Sequence, residues 1–195
     1  DMNGATQEGV GNYQITTHGG QRMSSSRAYL WPIKGRKNLT IIKNALASRV
    51  LIKDKKAYGI EYLKSGKKQQ VFADCEVILS AGSINSPHLL QLSGVGPKNT
   101  LKQASVSIVH ESPAVGENLQ DHLGVSYFYK SKVPTLNDQL RPLLGKIYQG
   151  LRYICTRTGP LSLSVNQSGG FIRTRDTLEK PNIQLYFSPV SYSLE

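Results

Sequence analysis

Apolar, small and turn-forming residues follow one another in an informative order near the middle of the chain. The run VIL at 77–79 lies between a charged residue and the small residues SAG, a pattern typical of a buried strand that enters a tight turn. Pro87 suits the first turn of a helix, where a missing N–H leaves no bond unmade. Ser83 or Ser86 is placed to cap that helix, and Gly94 to end it. The order of residues therefore predicts a strand, a tight turn and a helix.

Apolar runs predict further elements on both sides of this unit. Before it, runs separated by lysine- and glycine-containing turns predict an antiparallel meander, with strands at 39–42, 50–52, 58–62 and 71–72. After it, strands are predicted at 106–109, 125–129, 169–172 and 182–187, and a short helix at 99–103. Apolar residues three or four apart from 136 to 154 predict a longer helix, whose start Pro142 restricts.

The small-residue turn at Ser80, Ala81 and Gly82 has a chemical meaning as well as a structural one. Small side chains let another group approach the backbone, and the N–H groups at a helix start favour an anion such as a dinucleotide phosphate. The alternative is an ordinary connection between a strand and a helix in an α/β core. The residues by themselves favour that plainer interpretation, because such a turn alone is weak evidence.

Composition narrows the class of protein. The 195 residues are 38% hydrophobic and 19% charged, which is typical of a globular chain. The net charge of +11 is spread along the sequence without a recognition motif, so we expect no nucleic-acid partner. No apolar stretch approaches the roughly 20 residues that span a bilayer. Cys75 and Cys155 have no metal-ligand spacing, and we predict no metal site and no disulfide scaffold.

Several motifs resemble one family of enzymes. The run GSINSPHLLQLSGVG at 82–96 resembles the second signature of the glucose–methanol–choline (GMC) flavin oxidoreductases, and it meets every constrained position of that pattern. The run VGENLQDH at 115–122 resembles another hallmark of the family. The opening DMNG at 1–4 and the run QRMSSS at 21–26 are similar to family segments as well. The resemblance covers nearly the whole chain.

The resemblance implies a fold and a cofactor. The fold class would be α/β (α+β mixed), with part of a Rossmann-like FAD-binding domain at 1–122 and part of a sheet-and-helix substrate-binding domain at 123–195. Residues 1–37 would be a segment that crosses from the substrate side. The cofactor would be FAD, with Ser80, Ala81 and Gly82 beside its ADP part and the backbone of Ala47 near the adenine. Residues of the substrate domain that line a pocket would set specificity, and the candidates are Ser164, Tyr186 and Phe187, with core packing as their alternative.

The resemblance also implies an activity. The intact protein would oxidise the CH–OH group of a small-molecule alcohol, choline or sugar by hydride transfer to FAD. The chain has no G-x-G-x-x-G run to hold a pyrophosphate. Its histidines, His18, His88, His110 and His122, do not stand in the family's catalytic motif, so we assign no catalytic residue. We interpret the chain as an internal fragment of a longer protein and expect it to be inactive alone.

Two other classes of function remain alternatives at this point. The first is a non-catalytic α+β interaction module derived from a flavoenzyme fold, which a complete gene without an upstream G-x-G-x-x-G would favour. The second is a basic nucleic-acid-binding protein, whose binding would depend strongly on salt.

Overall fold

The structure is a computed structural model that describes residues 3–190. Asp1 and Met2, which belong to the opening motif of the resemblance, lie outside the described residues. The chain divides into two compact units. The middle unit comprises residues 40–124, and the terminal unit joins the residues before 40 to those after 124. The sequence-based division instead groups residues 1–37 with the rest of 1–122. The roles assigned to its two parts stay a prediction.

Short strands and helices alternate along the described chain. The strands are β1 (Gly9–Asn12), β2 (Thr17–His18), β3 (Gln21–Arg22), β4 (Leu46–Lys53), β5 (Lys56–Lys64), β6 (Lys67–Phe72), β7 (Val95–Gly96), β8 (His110–Glu111), β9 (Ser168–Ile172) and β10 (Ile183–Phe187). The α-helices are α1 (Gly82–Leu92), α2 (Lys98–Gln103), α3 (Leu136–Leu140) and α4 (Leu143–Thr156). A π-helical turn (Ser26–Leu30) and two 3-10 turns (Trp31–Ile33, Pro160–Ser162) complete the list. This mixture confirms the predicted α/β (α+β mixed) class.

The middle unit is built on the predicted meander. Strands β4, β5 and β6 form one antiparallel sheet in sequence order. The first hairpin turns through Asp54 and Lys55 and the second through Ser65 and Gly66, all at positive φ, which closes two-residue turns with the twist of the strands. The strand predicted at 39–42 is absent from the described structure, and β4 begins only at Leu46.

Helix α1 packs against β4. Leu89 of the helix is buried, as are Val50 and Leu51 of the strand. Ser93, just after the helix, accepts a hydrogen bond from the N–H of Val50 at 2.8 Å and donates one to the carbonyl of Leu89 at 2.6 Å. Gly94 follows at φ +84°, which confirms it as the residue that ends the helix.

The beginning of α1 differs from the prediction. The helix begins at Gly82, so Pro87 lies inside it rather than in its first turn. The Ser86 hydroxyl accepts a hydrogen bond from the N–H of Ala81 at 3.0 Å, and this side chain therefore ties the turn to the helix. Pro87 lacks the N–H that would bond the carbonyl four residues earlier, so the helix tolerates one missing bond.

Beyond α1 the middle unit continues through a short parallel pair. β7 pairs with β8, and α2 between them buries Leu101, which is 1% exposed. The predicted helix at 99–103 is confirmed by α2. The strand predicted at 106–109 is displaced, because only His110 and Glu111 reach the edge of β7.

Two predicted strands are wrong for a shared reason. Residues 77–79 and residues 125–129 belong to no strand of the described structure, and Ile78 is 74% exposed. A strand exists through the hydrogen bonds of its neighbours. Within residues 3–190 neither run has a neighbouring strand with which to pair, so the apolar pattern occurs without the backbone hydrogen bonds of a sheet.

The terminal unit contains a second antiparallel sheet, in the order β1-β9-β10. The Tyr13 hydroxyl donates a hydrogen bond to the carbonyl of Leu185 at 2.8 Å. A β-carbon at Gly169 would lie 2.2 Å from that hydroxyl, so glycine is required under the tyrosine. An exposed ion pair adds to the link, with Arg173 Nη2 at 2.7 Å from Glu8 Oε2. Hydrogen bonding to Arg173 holds the pKa of Glu8 below its usual value.

The helix predicted at 136–154 is two helices. A capping box formed by Thr135 and Asp138 starts α3, and α4 begins after Pro142, which takes an extended conformation at ψ 142°. Pro142 has no N–H to donate in an i→i−4 bond and is itself extended, so the helix breaks at this residue. Among residues 3–190, none of the helices could span a membrane.

We expect the substitution Ser93→Ala to destabilise the middle unit. It would leave the N–H of Val50, a residue only 4% exposed, without its acceptor. Burying an unsatisfied donor costs about 1–3 kcal/mol, and this should appear as a lower free energy of unfolding in urea. Ser107→Ala is the matched control, because Ser107 is exposed in the same unit and its loss should change stability by less than about 0.5 kcal/mol. Equal stability of the two variants would contradict the assignment.

Candidate functional site

The predicted turn before α1 is open to the outside. Ser80, Ala81 and Gly82 are all exposed. Gly82 has φ +92°, a conformation that L side chains rarely adopt, and a β-carbon added there would meet no atom within 4 Å. The backbone at Gly82 therefore has a conformation that favours glycine and is accessible, which suits close approach by a ligand.

The start of α1 offers an environment for negative charge. The cap residue Ala81 has no side-chain acceptor for the helix, and the first turn contains no acidic residue. The first N–H groups of a helix have no intrahelical acceptor, and the helix dipole places partial positive charge at the same end. The N–H of Ala81 is not part of this set, because the Ser86 hydroxyl already accepts its hydrogen.

Ala47 lies on the strand that supports α1. Ala47 is exposed in β4 and pairs with Tyr62 of the neighbouring strand β5. A bulge follows at once, because Ser48 is extra between the pairs of Ala47 and Arg49. The Ser48 hydroxyl donates to the carbonyl of Glu61 at 3.1 Å and approaches its carboxylate at 3.0 Å, which fixes the bulge. A bulge frees backbone groups from the ladder, and here it does so beside the predicted adenine contact.

Three of the four predicted cofactor residues are thus consecutive in the turn before α1, and the fourth lies in the same unit. Ser80, Ala81 and Gly82 form one continuous turn at the start of α1. Ala47 belongs to the same unit, on the strand against which α1 packs. The contact of these four residues with a cofactor stays a prediction.

A cleft in the middle unit was missed by sequence reasoning. It has a volume of about 530 Å³ and lies between α1 and the loop that follows β8. Its walls are Ser83, Ile84, Pro87, His88 and Gln91 on the helix and the residues from Gly116 to Gln120 on the loop. The two family-like motifs at 82–96 and 115–122 are therefore the two walls of one cleft.

Gln91 holds the loop wall in place. Its Nε2 donates a hydrogen bond to the carbonyl of Val115 at 3.1 Å. A β-carbon at Gly116 would lie 2.7 Å from the same nitrogen, and Gly116 has φ +88°. The glycine is thus required twice, by its conformation and by the approach of the glutamine. Gln91 and Gly116 are 25 positions apart in the sequence, so no local sequence pattern predicts their contact.

Two histidines of this region, His88 and His122, are both exposed. His122 lies in the exposed loop, where its N–H donates to the Asp121 carboxylate at 2.8 Å, as expected of residues that stabilise a turning backbone. His88 is exposed on the helix wall of the cleft. Glu117 lies on the loop wall, so each wall of the cleft has a polar side chain.

The terminal unit contains a larger cavity of about 900 Å³. Three tyrosines, Tyr13, Tyr153 and Tyr186, contribute aromatic surface, and Ser164 is among the serine and threonine residues that line it. Of the residues predicted to line a substrate pocket, Ser164 and Tyr186 line this cavity and Phe187 does not. Aromatic walls with a few hydroxyl groups are typical of a site for a small polar molecule.

Comparison with known proteins places the chain among flavoenzymes. It is 47% identical over 192 residues to an oxygen-dependent choline dehydrogenase of Photobacterium profundum, which covers 98% of this chain and 34% of that protein. It is 43% identical to an alcohol dehydrogenase [acceptor] of Pseudomonas putida, with 97% and 35% covered. The chain spans about a third of the length of these relatives.

The fold comparison agrees. A crystal structure of pyridoxine 4-oxidase from Mesorbium loti superimposes with a TM-score of 0.76 at 28% identity, covering 96% of this chain and 33% of that one. The sequence profile described as GMC oxidoreductase matches residues 1–124, which include the open turn, the meander and both walls of the cleft. The chain therefore belongs to the GMC oxidoreductase family, as its motifs predict.

Proposed function

We propose that the protein to which this chain belongs is a FAD-dependent oxidoreductase that oxidises the CH–OH group of a small-molecule alcohol. Family membership over residues 1–124 supports this assignment, and so do relatives named choline dehydrogenase and alcohol dehydrogenase. The observation that carries it within the structure is the open, glycine-containing turn at the positive end of α1.

The residues present fit part of a FAD site. Ser80, Ala81 and Gly82 would lie beside the ADP part of the cofactor, because the space next to Gly82 is open and its backbone conformation excludes a bulky side chain. The N–H groups at the start of α1 would attract phosphate oxygens. The backbone of Ala47, next to the bulge at Ser48, would contact the adenine. No pyrophosphate cradle of the G-x-G-x-x-G type occurs in the sequence.

The chain's own share of the reaction is to bind and orient. When bound, FAD supplies the redox chemistry by accepting a hydride. The turn and the N-terminus of α1 would fix the nucleotide end, which sets where the reactive ring can lie. The cleft between α1 and the loop at 116–120 would provide a polar wall whose loop Gln91 keeps in position. We assign the proton-accepting role to no residue of this chain.

The terminal unit would contribute to substrate binding. Its cavity combines aromatic faces with hydroxyl groups, which suits a small alcohol. The relatives are named for choline and for alcohols in general, so the proposed class of substrate is an alcohol.

We expect the full-length protein that contains this chain to be yellow and to be reduced by an alcohol. Its flavin absorption bands should bleach when choline or a primary alcohol is added without oxygen, because the hydride then stays on the flavin. The 195-residue chain alone should show no bleaching, since it has neither the pyrophosphate motif nor a histidine in the catalytic motif. A colourless, folded full-length protein would contradict the proposal and favour a non-catalytic interaction module.

We expect Gly82→Ala to weaken FAD binding in the full-length protein by at least tenfold. A side chain at φ +92° forces the turn to shift and narrows the approach to the start of α1. FAD affinity can be followed by titrating the apoprotein and recording the quenching of flavin fluorescence.

The matched control for this variant is Gly66→Ala. Gly66 has φ +74°, likewise meets nothing within 4 Å, and lies in the hairpin between β5 and β6 of the same unit. Both variants therefore suffer similar backbone strain, and only Gly82→Ala should lose cofactor. Equal FAD affinity in the two variants would remove the turn from the site.

A further inference from the structure

A carboxylate is buried in the sheet of the middle unit. Glu61 lies on the central strand β5 and is 9% exposed. Its Oε1 accepts a hydrogen bond from the Ser48 hydroxyl at 3.0 Å, and its backbone carbonyl lies 3.1 Å from the same hydroxyl. Two cations are more distant from the carboxylate, with Arg49 Nη2 at 3.7 Å and Lys68 Nζ at 3.8 Å. Because a carboxylate loses hydration when it is buried, it needs such partners, and the nearest of them is Ser48.

Ser48 is the extra residue of the bulge in β4. Its two sequence neighbours, Ala47 and Arg49, pair with consecutive residues of β5, so Ser48 has no partner of its own. Its backbone is not at positive φ, so the bulge needs no glycine. Both contacts of the hydroxyl are with Glu61 on the opposite strand. The side chains of Ser48 and Glu61 therefore fix the position of the bulge.

The bulge determines which way the backbone of Ala47 faces. Along a strand, the N–H and C=O groups of successive residues point alternately towards the paired strand and away from it. The N–H of Val50 points away from β5, because it donates to the Ser93 hydroxyl. Regular alternation would turn the groups of Ala47, three residues earlier, towards β5. One extra residue reverses that alternation, so the N–H and C=O of Ala47 face the outer edge of β4.

The outer edge of β4 is open at Ala47. Within residues 3–190, β4 pairs with a strand on one side only. Ala47 is exposed, and in the same range neither of its backbone groups bonds outside the sheet. The edge thus offers one donor and one acceptor side by side. An adenine ring offers the complement, an amino donor next to a ring-nitrogen acceptor.

We propose that Ser48 and Glu61 are positioning residues for the adenine of FAD. By holding the bulge they turn the backbone of Ala47 outward, where its N–H and C=O bond the acceptor and the donor of the base. Both side chains act through Ala47 and do not touch the cofactor themselves. These roles rest on the proposed function, which supplies the cofactor. They add a reason why the site would distinguish adenine from other purines.

Competition between two nucleotides for the full-length apoprotein tests these roles. ADP contains adenine, and inosine diphosphate contains hypoxanthine, in which a carbonyl oxygen replaces the amino group. Each nucleotide is titrated against the quenching of flavin fluorescence that accompanies FAD binding. We expect the unaltered protein to bind ADP at least tenfold more tightly, because the C=O of Ala47 would face an oxygen atom of hypoxanthine. Equal competition by the two nucleotides would overturn the proposal.

Three variants address the bulge itself. Ser48→Ala should reduce the preference for ADP at least threefold, because the bulge loses the hydrogen bond that fixes it. Ser48→Thr keeps a hydroxyl group and should retain the preference. Glu61→Gln keeps the size and an acceptor oxygen but loses the charge that strengthens the bond, so we expect about a twofold reduction. A general loss of stability would instead weaken the binding of both nucleotides alike.

Lys68→Ala is the matched control. It removes a partner that lies 3.8 Å from Glu61 in the same sheet, and it leaves the hydrogen bond from Ser48 in place. Its preference for ADP should equal that of the unaltered protein. The proposal is overturned if Ser48→Ala prefers ADP as strongly as Lys68→Ala does, or if Glu61→Gln retains the full preference.

Failure of these roles can be told apart from failure of the proposed function. A full-length protein that binds no flavin would contradict the function itself. A yellow protein that an alcohol reduces, but whose preference for ADP is the same in all variants, would leave the function intact. In that case only the positioning roles of Ser48 and Glu61 would be removed.

Discussion

The hydrogen bond between the Ser93 hydroxyl and the buried N–H of Val50 is the contact on which the middle unit depends. Neighbouring strands satisfy most backbone groups of a sheet, but at this point a helix does so through a side chain. The same hydroxyl bonds the carbonyl of Leu89, so it also closes the last turn of α1. Helix and sheet are thereby fixed in register by one residue, and Gly94 turns the chain away immediately afterwards.

This register determines where the chemistry of the unit can take place. With the end of α1 held on β4, its beginning must carry the turn at Gly82, and its exposed flank must face the loop after β8. Gln91 and Gly116 then close the cleft from the other side. The family motifs at 82–96 and 115–122 are distant in sequence but are explained by one arrangement. Each supplies a wall, and each contains a glycine whose conformation the wall needs.

Sequence reasoning was right where short-range chemistry determines the structure. The turns at Asp54–Lys55 and Ser65–Gly66 need positive φ and define the meander, and Gly94 and Pro142 act through their own backbones. It was wrong where structure depends on a neighbour. The runs at 77–79 and 125–129 have the composition of strands, but a strand needs a partner for its hydrogen bonds. The cleft was missed for the same reason, because it joins residues that no local pattern connects.

Glycine is required at some positions by the packing of the chain and at others only by the backbone conformation. At Gly116 and Gly169 a β-carbon would collide with a side chain of the protein itself, so the fold alone requires glycine there. At Gly82 nothing within the described chain occupies the space, and only the backbone conformation is unusual. Glycine adopts this conformation readily, and without a side chain it leaves the backbone of the turn uncovered. The turn at Gly82 also lies at the positive end of a helix, unlike the open glycine Gly66 in the hairpin between β5 and β6, and this combination suits an anionic ligand.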